Sequence, residues 1–346
     1  MSADPLWDDY YRYDRCVDIV SIAEVWFTRS AGLPATVRHF ERFPKLGHPD
    51  GNPATPDFTV LFNDGTAVAA ELANLALVQE SLDSLAAQLL RYDQLTEISS
   101  GRAAGGQTLA EPVTELDVLL FAPVEVANAA CDRLQGAIDD AGHLYKPRRA
   151  PMVLGYSLDA GTQTYTFVRP TRALNDLLPD YGRSPSLSSW LRGGSDTLRG
   201  MPGQFAPIKA QARFMNDDPP PLYTATVMWG TLLPSYIAET GQDIPVDLNF
   251  TLEQLTGRMR QDYGFGRRRD VAAALEFLKT ARLAEETGTG WVIYFRDLGS
   301  IERDISRALL HEFRSMSNKA RPVRTARPIK ETPAGEEPTQ ERLIAE

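Results

Sequence analysis

TPDFTVLFNDGTAVAAELANLALVQESLDSLAAQLLRY, residues 55–92, is the stretch whose reading decides the fold. Phe58 to Phe62 is a β-rich apolar run, and Asn63-Asp64-Gly65 after it is a strong tight-turn signal. Thr66 to Leu72 returns as a second strand that carries Glu71. Such a hairpin brings Asp57, at the start of the first strand, close to Glu71, near the end of the second. Two carboxylates converging on one spot offer oxygen ligands to a hard divalent cation such as Mg²⁺. That ion makes a nucleophile from water and stabilises charge on a phosphate. Downstream, residues 76–98 are expected to be a helix, because Leu77, Leu82, Leu85, Leu89, Tyr92 and Leu95 give one apolar face. Gln88 and Tyr92 are one turn apart on it.

These residues resemble the PD-(D/E)xK nuclease superfamily, the restriction-endonuclease-like fold. Pro56-Asp57 matches its first motif, and Asp64-Gly65 followed by a strand ending in Glu71-Leu72-Ala73 matches the second. Gln88 to Tyr92 is similar to the QxxxY helix motif of the RecB-like branch. The resemblance implies that Asp57 and Glu71 hold Mg²⁺, that Gln88 and Tyr92 position the strand, and that a Glu on the preceding helix, here Glu24, joins the metal site. The family carries a lysine where this chain has Ala73; that lysine orients or activates the attacking water. Lys45, in the loop before Asp57, is the best placed candidate to return one.

The rest of the chain agrees with a nucleic-acid enzyme in some respects and not in others. A length of 346 residues suggests about two domains. At 43% hydrophobic and 24% charged, the composition is that of a globular protein able to build its own cores. Cys16 and Cys131 are far apart, and the four histidines are scattered, so neither a zinc site nor a disulfide framework is expected. The start, MSADPLWDDYYRYDR, lacks the basic and apolar regions of a secretory signal. No run reaches the roughly 18 apolar residues that span a bilayer. A cytoplasmic protein with no membrane partner is therefore expected. A formal charge of −10 argues against bulk attraction to phosphate backbones. Locally the balance reverses: Gly257 to Arg282 holds seven basic and three acidic residues, and Lys319 to Lys330 five basic and none acidic. Solvated helix faces are the plainer reading of both.

Taken in order, residues 15–29 read as a helix and 34–43 as a strand. The Pro- and Gly-rich stretch 44–57 and the segment 99–112 read as loops. Residues 116–121 form a buried-type strand. A helix over 124–141 is ended by Gly142 as its cap, and a hairpin spans 151–168. That order fits an α/β domain over residues 1–170, a mixed sheet flanked by helices. Residues 171–221 read as a linker with short helices, closed by Asn216 to Pro221.

Residues 222–298 resemble a winged helix-turn-helix of α+β type. A helix over 222–239 comes first. A second spans 251–263, with Thr251 and Gln254 as a capping box; Gly264-Phe265-Gly266 makes the turn. A third helix over 267–281 is followed by a hairpin whose tip is Thr287 to Gly290. The resemblance implies that the third helix enters the major groove of double-stranded DNA through Arg267, Arg268 and Arg269, with Arg258 and Arg260 nearby. Residues 299–316 add a helix with Ile301, Ile305, Leu309 and Phe313 along one side, able to pack on this domain or form a dimer seam. The tail, 317–346, is polar, Pro-rich and expected to be disordered.

A nuclease-like domain followed by a winged helix resembles the endonuclease subunit of heteromeric transposons, the TnsA-like family, with Glu24, Asp57 and Glu71 in matching order. The expectation is a metal-dependent DNA endonuclease of a mobile-element or defence type. Two alternatives stand beside it. One is a catalytically inactive, nuclease-derived module that binds DNA or a protein partner. The other is a winged-helix transcriptional regulator.

Overall fold

The computed structural model describes residues 4–29, 37–73, 79–103, 107–170, 199–215, 217–299 and 301–320. Helix α1 (Pro5–Arg29) starts well before the expected Arg15. Asp4 caps it by accepting the Leu6 N–H at 3.0 Å. Two different cores need this length. Tyr10, Tyr13 and Val17 are buried with the C-terminal elements, whereas Ile19, Val20, Ile22, Ala23, Trp26 and Phe27 are buried against the large sheet. The acidic, aromatic N-terminal stretch before Arg15 is thus the first part of a core helix.

Strands β1 (Val37–Arg42), β2 (Phe58–Phe62) and β3 (Thr66–Leu72) form an antiparallel meander. Helix α2 (Gln79–Asp93) leads, by way of the hairpin β4 (Glu97–Arg102) and β5 (Thr108–Pro112), to β6 (Glu115–Pro123), which lies parallel to β3. Helix α3 (Val124–Asp139) crosses to β7 (Met152–Asp159), parallel to β6, and β8 (Thr164–Val168) and β9 (Arg199–Gly200) follow antiparallel. The seven-stranded order is β1-β2-β3-β6-β7-β8-β9. Side-chain alternation divides it into layers. Phe58, Val60, Phe62, Val68, Ala70, Leu119, Phe121 and Leu154 pack on the α1 side, and Leu61, Ala67, Ala69, Val118, Leu120 and Val153 on the α2 and α3 side. This is the expected mixed sheet flanked by helices.

Three local expectations are corrected. The helix expected to run to 98 ends at Asp93, and within the stretch expected to be a loop, 99–102 and 108–112 pair in β4–β5. Ile98 and Ser99 are buried, and Arg102–Glu41 and Arg38–Glu111 ion pairs tie the hairpin to β1. Helix α3 is capped at extended Asp140 rather than Gly142, whose N–H instead meets Asp140 Oδ1 at 2.9 Å. The expected linker is only partly a connection. Residues 171–198 lie outside the described residues, but β9 belongs to the large sheet and α4 (Pro202–Gln211) packs on α1. Gly200 permits that approach, since a Cβ there would run into Ile22.

The C-terminal elements begin with α5 (Pro221–Val227), which passes through a π-helical turn, Met228–Leu232, into α6 (Leu233–Thr240). Then come β10 (Val246–Phe250), α7 (Leu252–Tyr263), α8 (Arg268–Thr280), β11 (Ala284–Thr287) and β12 (Gly290–Phe295). The strands form an antiparallel sheet ordered β10-β12-β11. Thr251 and Gln254 close the capping box of α7. Strand β10 has no counterpart in the sequence reading, although Val246, Leu248 and Phe250 alternate. In α9 (Glu302–Ala320), Ile305 and Leu309 are buried and Phe313 stacks on Phe277 at 4.5 Å. Ile301 precedes the helix and is exposed, so the apolar stripe begins at Ile305. The helix extends to 320, and 321–346 lie outside the described residues. No described helix is long and apolar enough to cross a membrane.

Candidate functional site

The β2–β3 hairpin builds the site. Gly65 takes a left-handed φ of 84° in the turn, and its N–H reaches the Phe62 carbonyl at 3.1 Å. The register pairs Phe58 with Ala70. One residue earlier, the Asp57 N–H donates to the Ala70 carbonyl at 2.9 Å, and its Oδ2 accepts the Leu72 N–H at 2.7 Å. Asp57 is thereby locked beside Glu71. Both carboxyls line one cavity of about 550 Å³.

Helix α2 supplies the opposite wall. The Tyr92 hydroxyl donates to Glu71 Oε2 at 2.8 Å and has the Thr55 carbonyl as a second acceptor at 3.2 Å. The Gln88 amide donates to the Tyr92 oxygen at 2.6 Å. Burial pushes the Asp57 carboxyl up to about 7; the Leu72 N–H opposes that shift and Asp217 adds to it. Glu71 is held well above the usual carboxylate range by burial first and by Asp57 second, against hydrogen bonds from Tyr92 and Gln88. Two half-buried acids that repel each other favour protonation or a shared cation.

Tyr92 is 1% exposed, so its hydroxyl has little access to water as a replacement partner. Tyr92→Phe is expected to cost about 1–2 kcal/mol by stranding the Gln88 amide and one Glu71 oxygen. Urea denaturation should show a lower midpoint at an unchanged slope. Equal midpoints would mean that the hydroxyl does not tie α2 to the acid pair.

Helix α1 and the segment 217–221 complete the cavity, contributing Asp9, Arg12, Tyr13, Cys16, Asp217 and Asp218. Among the described residues lining it, Arg12 alone is basic, and it stands 3.6 Å from Asp9. Cys16 is one turn along α1; burial and the nearby Asp57 push its thiol upward. None of these residues was singled out as a site residue from sequence. The available signals were the four-residue spacing of Arg12 and Cys16 and the acids placed before three prolines.

The structure brings Asp57, Glu71, Gln88 and Tyr92 together, and it does not bring the other two expected residues. Glu24 lies farther along α1, where its Oε2 accepts from Arg42 Nε of β1 at 2.6 Å. An ion pair across the sheet face, not the acid pair, engages it. Lys45 lines a separate cavity with Arg102 and Gln107. Ala73 is buried on the α2 side of the sheet, its N–H on the Phe121 carbonyl at 2.8 Å.

Among the described residues, no group of three or more His, Cys, Asp and Glu side chains is arranged to hold a metal ion. The donor set at the hairpin is two carboxylates. That set suits Mg²⁺, which takes one or two carboxylates and fills its octahedron with water and phosphate oxygens, and it does not suit an all-protein cage.

The five arginines expected to meet DNA all have partners within the chain. Arg258 pairs with Glu239 and Asp262, and Arg260 Nε donates to the Gly266 carbonyl at 2.7 Å. Arg267, Arg268 and Arg269 pair with Asp218, Glu253 and Asp270. Comparison of the chain with family models, with curated proteins and with solved structures finds no match.

Proposed function

We propose that residues 1–170 form a PD-(D/E)xK, restriction-endonuclease-like domain, that residues 222–298 form a winged helix-turn-helix, and that the chain cuts double-stranded DNA with Mg²⁺. The observation that carries this reading is the hairpin that turns Asp57 and Glu71 onto one cavity, against Tyr92 and Gln88. Element order adds support. A leading helix, an antiparallel three-strand meander, a crossover helix and a fourth strand parallel to the third is the arrangement the resemblance implies. In the C-terminal half, a helix, a strand, two helices and a hairpin with strand order β10-β12-β11 is the layout of a winged helix.

In this reading Asp57 and Glu71 hold the cation, which when bound polarises a phosphate oxygen and lowers the pKa of water. The chain's own residues do the positioning. Tyr92 fixes the rotamer of Glu71, and Gln88 fixes the Tyr92 hydroxyl. The Leu72 N–H leaves Asp57 Oδ1 as the carboxylate oxygen of that residue not engaged by this bond. Arg12 supplies permanent positive charge on a wall whose other charged residues are Asp9, Asp217 and Asp218, suited to a phosphate oxygen. A guanidinium does not deprotonate in proteins, so Arg12 orients and cannot serve as a base.

A second reading has its own observation. Buried Ala73 stands where the resemblance places a lysine, and Lys45 does not replace it. This favours a nuclease-derived fold kept for binding. Incubation with supercoiled plasmid in Mg²⁺ or Mn²⁺ separates the two. Nicking that stops with EDTA supports the enzyme. A gel shift of duplex DNA without nicking selects the binding module. Neither result with either metal removes both.

A further inference from the structure

We propose that Asp217 and Asp218 form an acidic strap that occupies the arginines at the start of α8, so that DNA phosphate binds there only by displacing it. The proposal rests on the DNA-binding reading of the C-terminal half and gives that reading a built-in competitor.

The contacts are specific. One Asp218 carboxylate oxygen meets Arg267 Nη1 at 2.9 Å and also pairs with Arg269. Arg267 Nη2 donates to the backbone carbonyl of Asp217 at 3.0 Å, while its Nε is 2.5 Å from Asp270. Oxygens from three residues therefore sit around these guanidiniums, where a phosphate's oxygens would have to go. The strap is held at both ends. On one side Phe214 stacks on Phe265 at 4.1 Å and the Met215 N–H reaches Tyr13 at 2.8 Å. On the other, the Pro220 carbonyl receives the Tyr223 N–H in the first turn of α5.

Charge and exposure decide what such a contact does. Asp218, Asp270 and Glu253 set three carboxylates against three guanidiniums, which removes the net charge that would draw a polyanion to this helix end. The side chains of Asp218 and Arg269 are 63% and 64% exposed. Ion pairs that wet contribute little to stability, so they exchange readily for a phosphate. Asp217 also lines the acid-pair cavity and helps raise Asp57 and Glu71. The two-residue strap thus meets the start of α8 on one side and lines the acid-pair cavity on the other. DNA that lifts it would free the arginines and move a carboxylate from beside Asp57 and Glu71 in one event.

The test is anisotropy of a labelled duplex of about 30 base pairs in EDTA, over a range of KCl concentrations, with the full chain. Asp218→Asn is expected to bind about ten-fold more tightly than the parent. Its plot of log K against log salt should be steeper by about 1–2, because each freed arginine adds a phosphate contact with a slope near 0.9. The gain should disappear when Arg267→Gln and Arg269→Gln are added, which a general loss of negative charge would not produce. A parent that binds and an Asp218→Asn variant with the same affinity and slope overturns the strap alone. No binding by either protein at about 10 µM and low salt overturns the DNA-binding reading together with the strap.

Discussion

Asp57→Asn is expected to abolish Mg²⁺-dependent nicking, by about a thousand-fold or more, while making the metal-free protein more stable above neutral pH. The first effect follows from geometry: of the two hairpin carboxylates, Asp57 is the one fixed by the backbone, and asparagine brings no charge to neutralise a cation. The second follows from linkage. The folded Asp57 carboxyl, near 7, lies above the ordinary value near 4. Between those values the folded chain binds more protons than the unfolded one, so stability falls as pH rises through that window and stays low above it. Asparagine removes the slope. In EDTA, the variant's Tm should exceed the parent's at pH 8 and converge with it near pH 4. Mg²⁺ should narrow that gap at pH 8: a cation bound only by the folded parent adds about 1.4 kcal/mol at ten times its Kd. A variant that nicks at the parent's rate would remove Asp57 from the chemistry. A variant of lower Tm in EDTA at pH 8 would mean that the acid pair stabilises the fold rather than straining it.

The elements that local rules describe were readable in the sequence. The hairpin carries its own turn residues and strand alternation, the capping box of α7 forms as written, and one helical turn is enough to bring Gln88 to Tyr92. Other features depend on partners distant in the chain. Glu24 and Cys16 are both on α1, and only the crossing of that helix over the sheet decides that Cys16 meets the cavity while Glu24 meets Arg42. The β4–β5 hairpin is masked by its Gly and Ser content, and its order comes from packing and ion pairs with β1. A count of basic residues over 257–282 sees Arg267 to Arg269 but not Asp218, which the fold returns from the segment before α5. Local charge therefore overstates how open that helix end is to DNA.

Lys209→Ala is expected to be the most destabilising single change outside the apolar cores. Lys209 Nζ lies 2.6 Å from Asp14 and 2.7 Å from Asp18, and the Tyr165 hydroxyl donates to Asp18 at 2.8 Å. These contacts join α4, α1 and β8 with side chains that are 13% exposed on the lysine and 12% on Asp18. Removing the cation leaves two neighbouring carboxylates without compensation, a loss of about 3–5 kcal/mol. Its pH dependence separates charge from packing. Asp18 already sits up at about 6, raised by burial and by Asp14 and lowered by Lys209. Without Lys209 it must rise further, so the folded variant takes up a proton where the unfolded chain does not. The penalty should therefore be largest near pH 8 and shrink toward pH 5 in urea titrations across that range. A penalty independent of pH would assign it to lost side-chain packing. Asp18→Asn, which keeps the Lys209–Asp14 pair, should cost much less. The two classes of variant also report differently on the site. Lys209 holds the helix that carries Arg12 and Cys16 to the cavity, so its loss lowers stability and any cleavage together, whereas Asp57→Asn drives them in opposite directions.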